Sequence, residues 1–494
     1  MKSKLLLGVL AAFSLAGAAQ AQTTYIELTG ATAFRSAAIA SINAAFTAGS
    51  GTGNFATAFA NTTASGSSAS FGNGSMQVWR GTFPGIAGTT VVRTSWNGSV
   101  EGVRAVAVPG VDPLTGDQNN PLYIKESLLG GVGTSTPVRF HSDPNGGGAA
   151  VNAQNYERLQ SDLAFSDVAQ SATPVSGLAL SGGPVGVVVF SMVANKTFSD
   201  DKLVGDALSQ RMPSNITAQQ FRSMARLGFV PLSYFTGNAA DTNRVYLTGR
   251  NDGSGTRTSY LSETGVGAST PINQYLGYDR ITSATNLPSI FLVPANGGFD
   301  AQGVARPEYR STVWGNSLDG NGGHVSSSDV RTDLSKTTSS TAVYEFVDGD
   351  ESGDITADEA EVKFAAGKLY MISWVTYNDA RSARGTGLAS ARTAEILGYE
   401  GVRLEGLAGD NPATNLSGTD LEKVANGAYT AWNFQQLYYI STRTGAATVF
   451  TELKNRFDDP NPATNPIGTA GLRRGLMNVN RTDDGGVILP GTPQ

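Results

Sequence analysis

Between Gly249 and Tyr260 the sequence reads GRNDGSGTRTSY, and its residue types suit the holding of a tetrahedral oxyanion. Gly253 and Gly255 remove β-carbons where a ligand must come close to the backbone. Ser254 and Thr256 place hydroxyl donors on either side of Gly255, and Arg250 adds a permanent, fork-shaped cation. The preceding VYLTG alternates, with Val245 and Leu247 on one face and Tyr246 and Thr248 on the other. The stretch therefore predicts a strand, a small-residue loop and a helix whose free N–H groups and positive dipole end point at the loop.

Three other strand ends carry related chemistry. TYIELT (24–29) leads through Gly30-Ala31 to Thr32, placed as the N-cap of a helix from Ala33 to about Thr47. Phe34, Ala38, Ile42 and Ala45/Phe46 share one face of that helix and predict packing on a sheet. TVVRTSW (90–96) ends at Asn97-Gly98-Ser99 before a short helical turn, and DLAFSD (162–167) ends on Asp167. In α/β sheets ligands bind where such loops converge, at the carboxyl ends of strands.

The remaining elements supply the frame. PVGVVVFSMVANK (184–196) reads as a buried strand, and Thr217 to Gln220 as a capping box opening a helix that Gly228 stops. PSIFLVPA (288–295), KLYMISWVTY (368–377) and WNFQQLYYI (432–440) read as strands, and Thr448 to Phe457 as a helix. Residues 48–74 and 107–152 read as long Gly-rich insertions, 153–159 as a helical segment, and the tail from Asp458 as irregular. Strands alternating with helices predict an α/β fold with open sheets.

The chain of 494 residues has 40% hydrophobic and 15% charged residues, which places it among globular proteins of two or three lobes. A net charge of −6 argues against nucleic acid and anionic membrane as partners. Lys2 and Lys4, an apolar core from Leu5 to Ala18 and the Ala19-Gln20-Ala21 site read as a signal peptide cleaved after Ala21. Beyond it no apolar run is long enough to span a bilayer, so no membrane insertion is expected. There is no cysteine, which excludes disulfides and thiol chemistry. The expected product is exported, periplasmic or secreted.

Taken in order, these motifs resemble the periplasmic phosphate-binding proteins of ABC transporters, which have the two-lobed type II periplasmic-binding-protein fold. Gly30-Ala31-Thr32-Ala33-Phe34 resembles the family's first loop with one residue extra, and NGSVEGVR (97–104) its second. AFSDVAQS (164–171) is similar to its aspartate segment, RNDGSGTRTSYL to its arginine signature, and GKLYMISWVTY to a later strand. The resemblance covers about a third of the chain. It implies anion contacts from Thr32, Ala33, Phe34, Ser99, Asp167, Arg250, Ser254, Gly255 and Thr256, with Arg250 pairing both with the ligand and with Asp167. Monohydrogen phosphate has an O–H to donate to an ionised Asp167, whereas fully deprotonated sulfate would meet it with a lone pair. Asp167 is thus the expected specificity residue. The long insertions depart from the compact family pattern.

Asp348-Gly-Asp350-Glu-Ser352-Gly353-Asp354-Ile-Thr356-Ala-Asp-Glu359 fits a twelve-residue calcium loop. Its oxygen ligands fall at Asp348, Asp350, Ser352, Asp354, Thr356 and Glu359, expected as a structural clip far from the anion site. No cofactor is required. Only two histidines exist, His141 and His324, both in Gly/Ser/Asn-rich surroundings that suggest exposed loops; no GxSxG elbow accompanies them, so no catalytic residue is expected. The expected divisions are a first lobe from 22–183, a second from 184–405 and a return to the first from 406–494. The expected function is that of a monomeric receptor closing on inorganic phosphate for a membrane permease. The alternatives are a secreted surface or matrix protein keeping the fold, and, more weakly, a phosphoesterase.

Overall fold

The computed structural model describes residues 22–61, 71–111, 118–139, 155–175, 177–195, 214–279, 290–294, 322–324, 326–335, 343–346, 360–364, 369–384, 394–404 and 418–491. The expected leader (1–21), His141 and the expected calcium loop (348–359) fall outside them.

The chain opens with β1 (Thr24–Gly30) and α1 (Arg35–Ser50). The helix begins later than Thr32 predicts: Phe34 is the residue before its first turn and makes no side-chain cap. Its ring is drawn instead into the core, 5.9 Å from Phe165 and 5.2 Å from Phe457. Next come β2 (Ala56–Asn61), β3 (Met76–Gly81), β4 (Thr90–Ser95) and α2 (Ser99–Ala107). The first insertion therefore contributes a real strand, with Ala58 and Ala60 buried.

Within and after the second insertion lie β5 (Leu122–Ile124), β6 (Ser135–Arg139), β7 (Tyr156–Arg158) and β8 (Leu163–Ser166). Residues 156–158 are a strand, not a helix, because they pair antiparallel with β5. Charge holds this hairpin to the sheet. Arg93 on β4 donates from Nε to Glu27 Oε1 at 2.9 Å and also bonds Glu157 on β7. Tyr25 donates to Glu126 at 2.9 Å.

The 15-residue β9 (Ser181–Asn195) follows, its last eleven residues buried. Then come β10 (Asn215–Ile216), α3 (Ala218–Leu227), β11 (Phe229–Pro231), α4 (Ser233–Thr236), β12 (Arg244–Leu247) and α5 (Gly255–Glu263). The capping box at the start of α3 is present with both its hydrogen bonds, and Gly228 closes the helix in the left-handed conformation.

Further on are β13 (Tyr275–Asp279), β14 (Ile290–Pro294), α6 (Ser327–Ser335), β15 (Val343–Phe346), β16 (Ala360–Phe364), β17 (Tyr370–Thr376) and α7 (Tyr377–Arg384). The chain ends with β18 (Ala394–Ile396), β19 (Gly398–Tyr399), α8 (Gly418–Ala425), β20 (Trp432–Tyr439), α9 (Ala446–Phe457), β21 (Val479–Arg481) and β22 (Ile488–Pro490). The tail is more ordered than its turn-rich composition suggests, since β21 and β22 form an antiparallel hairpin.

The architecture is mixed α/β. One sheet runs β11-β12-β17-β9-β20-β8-β1-β4-β3-β2-β6, with β18 also on β9. It consists of two halves, each with parallel neighbours: β4-β1-β8 in one and β12-β17 in the other. β9 belongs to both, pairing with β20 over Ser181–Val189 and with β17 over Phe190–Ala194. Parallel pairing sends the carboxyl ends of β1, β4 and β8 to one edge, and those of β12 and β17 likewise to one edge of their own half.

Candidate functional site

The loops after β1, β4, β8 and β12 interlock. Gly98 N–H donates to Gly30 O at 3.0 Å, Ala31 N–H to Phe165 O at 2.8 Å, and Val100 N–H to Gly253 O at 3.2 Å. The last bond joins the two half-sheets. Gly98 has φ +110°, and a β-carbon there would stand 2.7 Å from Gly253 O, so only glycine allows the approach.

At the centre lie Ser99, Asp167 and Gly255. Ser99 Oγ accepts the Asp167 backbone N–H at 3.1 Å. A β-carbon on Gly255 would stand 2.2 Å from that same oxygen and 3.0 Å from Asp167 Cβ. Ser254, Gly255 and Thr256 are buried at the start of α5. That helix is seated by Tyr260, whose ring packs 5.0 Å from Phe221 and 5.7 Å from Trp374. Thr32 and Ala33 are half-buried on the first loop, whereas Phe34 gives its side chain to the core and has only its backbone left for the site.

Asp167 is 2% exposed, and its Oδ1 is buried with no hydrogen-bond partner. Burial pushes its carboxyl up to about 7, against the opposing pull of the Arg250 guanidinium and the Ser99 hydroxyl; Asp484 and Asp379 push it further up. Burial likewise lowers the Arg250 guanidinium, while Asp379, Asp167 and Asp329 act to hold its proton. Arg250 is fixed by donation from Nε to His324 O at 3.2 Å and from Nη1 to Ser327 Oγ at 3.0 Å.

Several of these neighbours escape sequence reasoning. His324 is not an exposed loop residue: its Nε2 lies 2.5 Å from Oδ2 of Asp333, which is 1% exposed on its side chain. His324 forms a parallel bridge with Arg250, so the residue expected on an exposed loop instead holds the signature arginine. Arg35, directly after Thr32-Ala33-Phe34, and Asp379, on the first turn of α7, add a cation and an anion whose charges act on one another. Asp379 also accepts from Thr376 Oγ1 at 2.7 Å. Arg35 had a signal in its position; Asp379 and Asp484 had none.

This arrangement presents hydroxyls, a helix N-terminus and a buried arginine around one carboxylate whose Oδ1 lacks a donor. It can hold an anion that itself carries a proton.

No family model and no curated protein matches the chain. Among solved structures it is similar to a phosphate ABC transporter substrate-binding protein with bound phosphate from Clostridium perfringens, with TM-score 0.35 and 10% identity over 87% of this chain and 92% of that one. PstS from Borrelia burgdorferi matches with TM-score 0.30 and 8% identity over the same shares. Both neighbours are binding proteins. At these values the likeness decides nothing about a ligand. Among the described residues no helix is long and apolar enough to cross a membrane.

Proposed function

We propose that the chain is an exported solute receptor that binds a protonated tetrahedral oxyanion, inorganic phosphate first, between its two half-sheets. What carries the reading is Asp167 Oδ1, a buried acceptor with no donor, set beside Arg250, Ser99 and the start of α5. A buried, unpaired acceptor costs about 1–3 kcal/mol, more when charged. An O–H from monohydrogen phosphate removes that cost, whereas sulfate brings a lone pair to the same spot.

On this reading Arg250, Ser254, Gly255 and Thr256 take oxygens from one side, and Thr32, Ala33, Phe34 and Ser99 from the other. Residues 22–183 with the return from 406 form one lobe and residues 184–405 the second. The twelve-residue acidic motif at 348–359 binds calcium as a structural ion, and delivery is to a membrane permease.

The test is calorimetric titration of the chain from Gln22, stripped of phosphate, with phosphate and then sulfate, alongside Asp167→Asn. Tight phosphate binding, weak sulfate binding and a narrowed gap between them in the variant support the reading. No heat from either anion ends it.

A further inference from the structure

The four amides from Asp167 to Gln170 are each held by a side chain. Asp167 N–H donates to Ser99 Oγ, Val168 N–H to Ser166 Oγ at 3.3 Å, Ala169 N–H to Asp484 Oδ2 at 2.6 Å, and Gln170 N–H to the Tyr438 hydroxyl at 3.0 Å. Three of these anchors come from α2, β8 and β20, the elements of the Asp167 half-sheet. The fourth comes from the far end of the chain, 315 residues away.

That terminal segment is itself anchored to the signature helix. Arg481 Nη1 donates to Glu263 Oε2, at the end of α5, at 3.0 Å and to Trp432 O at 2.8 Å; its Nη2 donates to Thr430 O at 2.9 Å. Its guanidinium also lies 4.5 Å from the Trp432 ring centroid. A β-carbon on Gly485 would stand 2.4 Å from the Ser262 carbonyl, so the strap lies directly on the last turn of α5. One end of α5 meets Asp167 through Gly255, and the other end reaches the Asp167 loop through the strap.

We propose that Asp484 is a positioning residue for Asp167: it fixes the loop that aims Asp167 into the site and sets the charge that Asp167 meets there. The proposal rests on the oxyanion reading for its ligand but not for its geometry. The charges acting on Asp167 are Arg250, Asp379 and Asp484. Those acting on Asp484 are Arg481 and Asp483. A carboxylate at 484 holds the Asp167 proton more firmly than a neutral side chain would, and so sets the acid limit below which Asp167 no longer accepts from the ligand.

Two variants separate position from charge. Asp484→Asn keeps an oxygen for the Ala169 N–H and removes the charge; Asp484→Ala removes both. Each is titrated with inorganic phosphate from acid to mildly alkaline pH. In parallel, the Asp167 carboxyl is followed by carbon NMR without ligand, its signal assigned by its loss in Asp167→Asn. For Asp484→Asn the expected result is phosphate affinity within about threefold of the parent at neutral pH, with the acid limit and the Asp167 midpoint both moved to lower pH. For Asp484→Ala the expected result is about tenfold weaker binding, as follows from losing one charge-assisted hydrogen bond.

An Asp167 midpoint unchanged in Asp484→Asn, with unchanged phosphate binding in Asp484→Ala, overturns the proposal. If the parent takes up no phosphate but the Asp167 midpoint still moves down, the ligand reading fails and the positioning role stands.

Discussion

Ser99 and Gly255, from different half-sheets, approach so closely that a β-carbon at 255 would lie 2.2 Å from the serine oxygen. Gly255→Ala must therefore push α5 away from the Ser99–Asp167 pair. Overpacking of this kind costs about 1–3 kcal/mol. The expected outcome is a lower urea midpoint with an unchanged slope, together with loss of phosphate uptake. Ser99→Gly removes both the oxygen and the Ser99 β-carbon, which would itself stand 2.6 Å from the new one, and should restore part of the stability in the double variant, which a double-mutant cycle reads directly.

Stability without ligand should fall as pH rises. Asp167 is pushed up to about 7 and Asp484 to about 6, both by burial, so the folded chain keeps protons that the unfolded chain releases near 4. Between those values the folded state binds more protons, and stability declines with rising pH through the folded midpoints. Below the unfolded values both states are protonated, so the slope vanishes and this contribution to stability stands at its highest. Asp167→Asn should flatten this slope and raise the urea midpoint at pH 8 relative to the parent, while weakening phosphate. A variant as pH-sensitive as the parent would assign the slope to Asp484 and Glu27.

Arg93 holds two carboxylates at once, Glu27 on β1 and Glu157 on β7. Glu27 is pushed up to about 8 by burial in spite of Arg93, so removing the arginine leaves it buried without its cation. Arg93→Met should cost about 3–5 kcal/mol at alkaline pH, the range for leaving a buried charge without its partner, and less at neutral pH, where Glu27 takes up a proton instead. Adding Glu27→Gln should recover much of that loss. Thermal unfolding of the parent and the two variants checks both statements.

The proposed calcium motif at 348–359 gives a further prediction. Calcium should raise the thermal midpoint of the parent, and removal by chelator should reverse the gain. Asp350→Ala with Asp354→Ala should abolish the calcium response and leave phosphate affinity unaltered. A calcium response that survives both changes would place the ion elsewhere.

The sequence made the strand ends legible because their signals are local. The Gly253-Ser254-Gly255 spacing, the strand before it and the Thr217–Gln220 box each depend on residues a few positions apart. The errors lie where distant partners decide. Residues 156–158 carry helix-forming types, but pairing with Leu122–Ile124 makes them a strand. Thr32 is a good capping residue, yet burial of the Phe34 ring against Phe165 and Phe457 delays the helix to Arg35. His324 sits in a stretch whose composition suggests solvent, and only its bridge to Arg250 and its bond to Asp333 bring it inside. Asp484 has no local pattern at all, and its role depends on a contact across most of the chain.

The shared strand β9 has a mechanical consequence. Two bodies hung on slack linkers swing freely and settle wherever a ligand leaves them. Here one continuous strand pairs with β20 on one side and with β17 on the other, its ladder interrupted by a register shift at Gln435 and Gln436, so a rotation of the halves must appear as added twist along that strand. Such a joint behaves as a stiff spring with a preferred angle. Its preferred angle follows from the packing of Val185 to Ala194, and on the proposed function an anion entering between the halves works against that spring or with it.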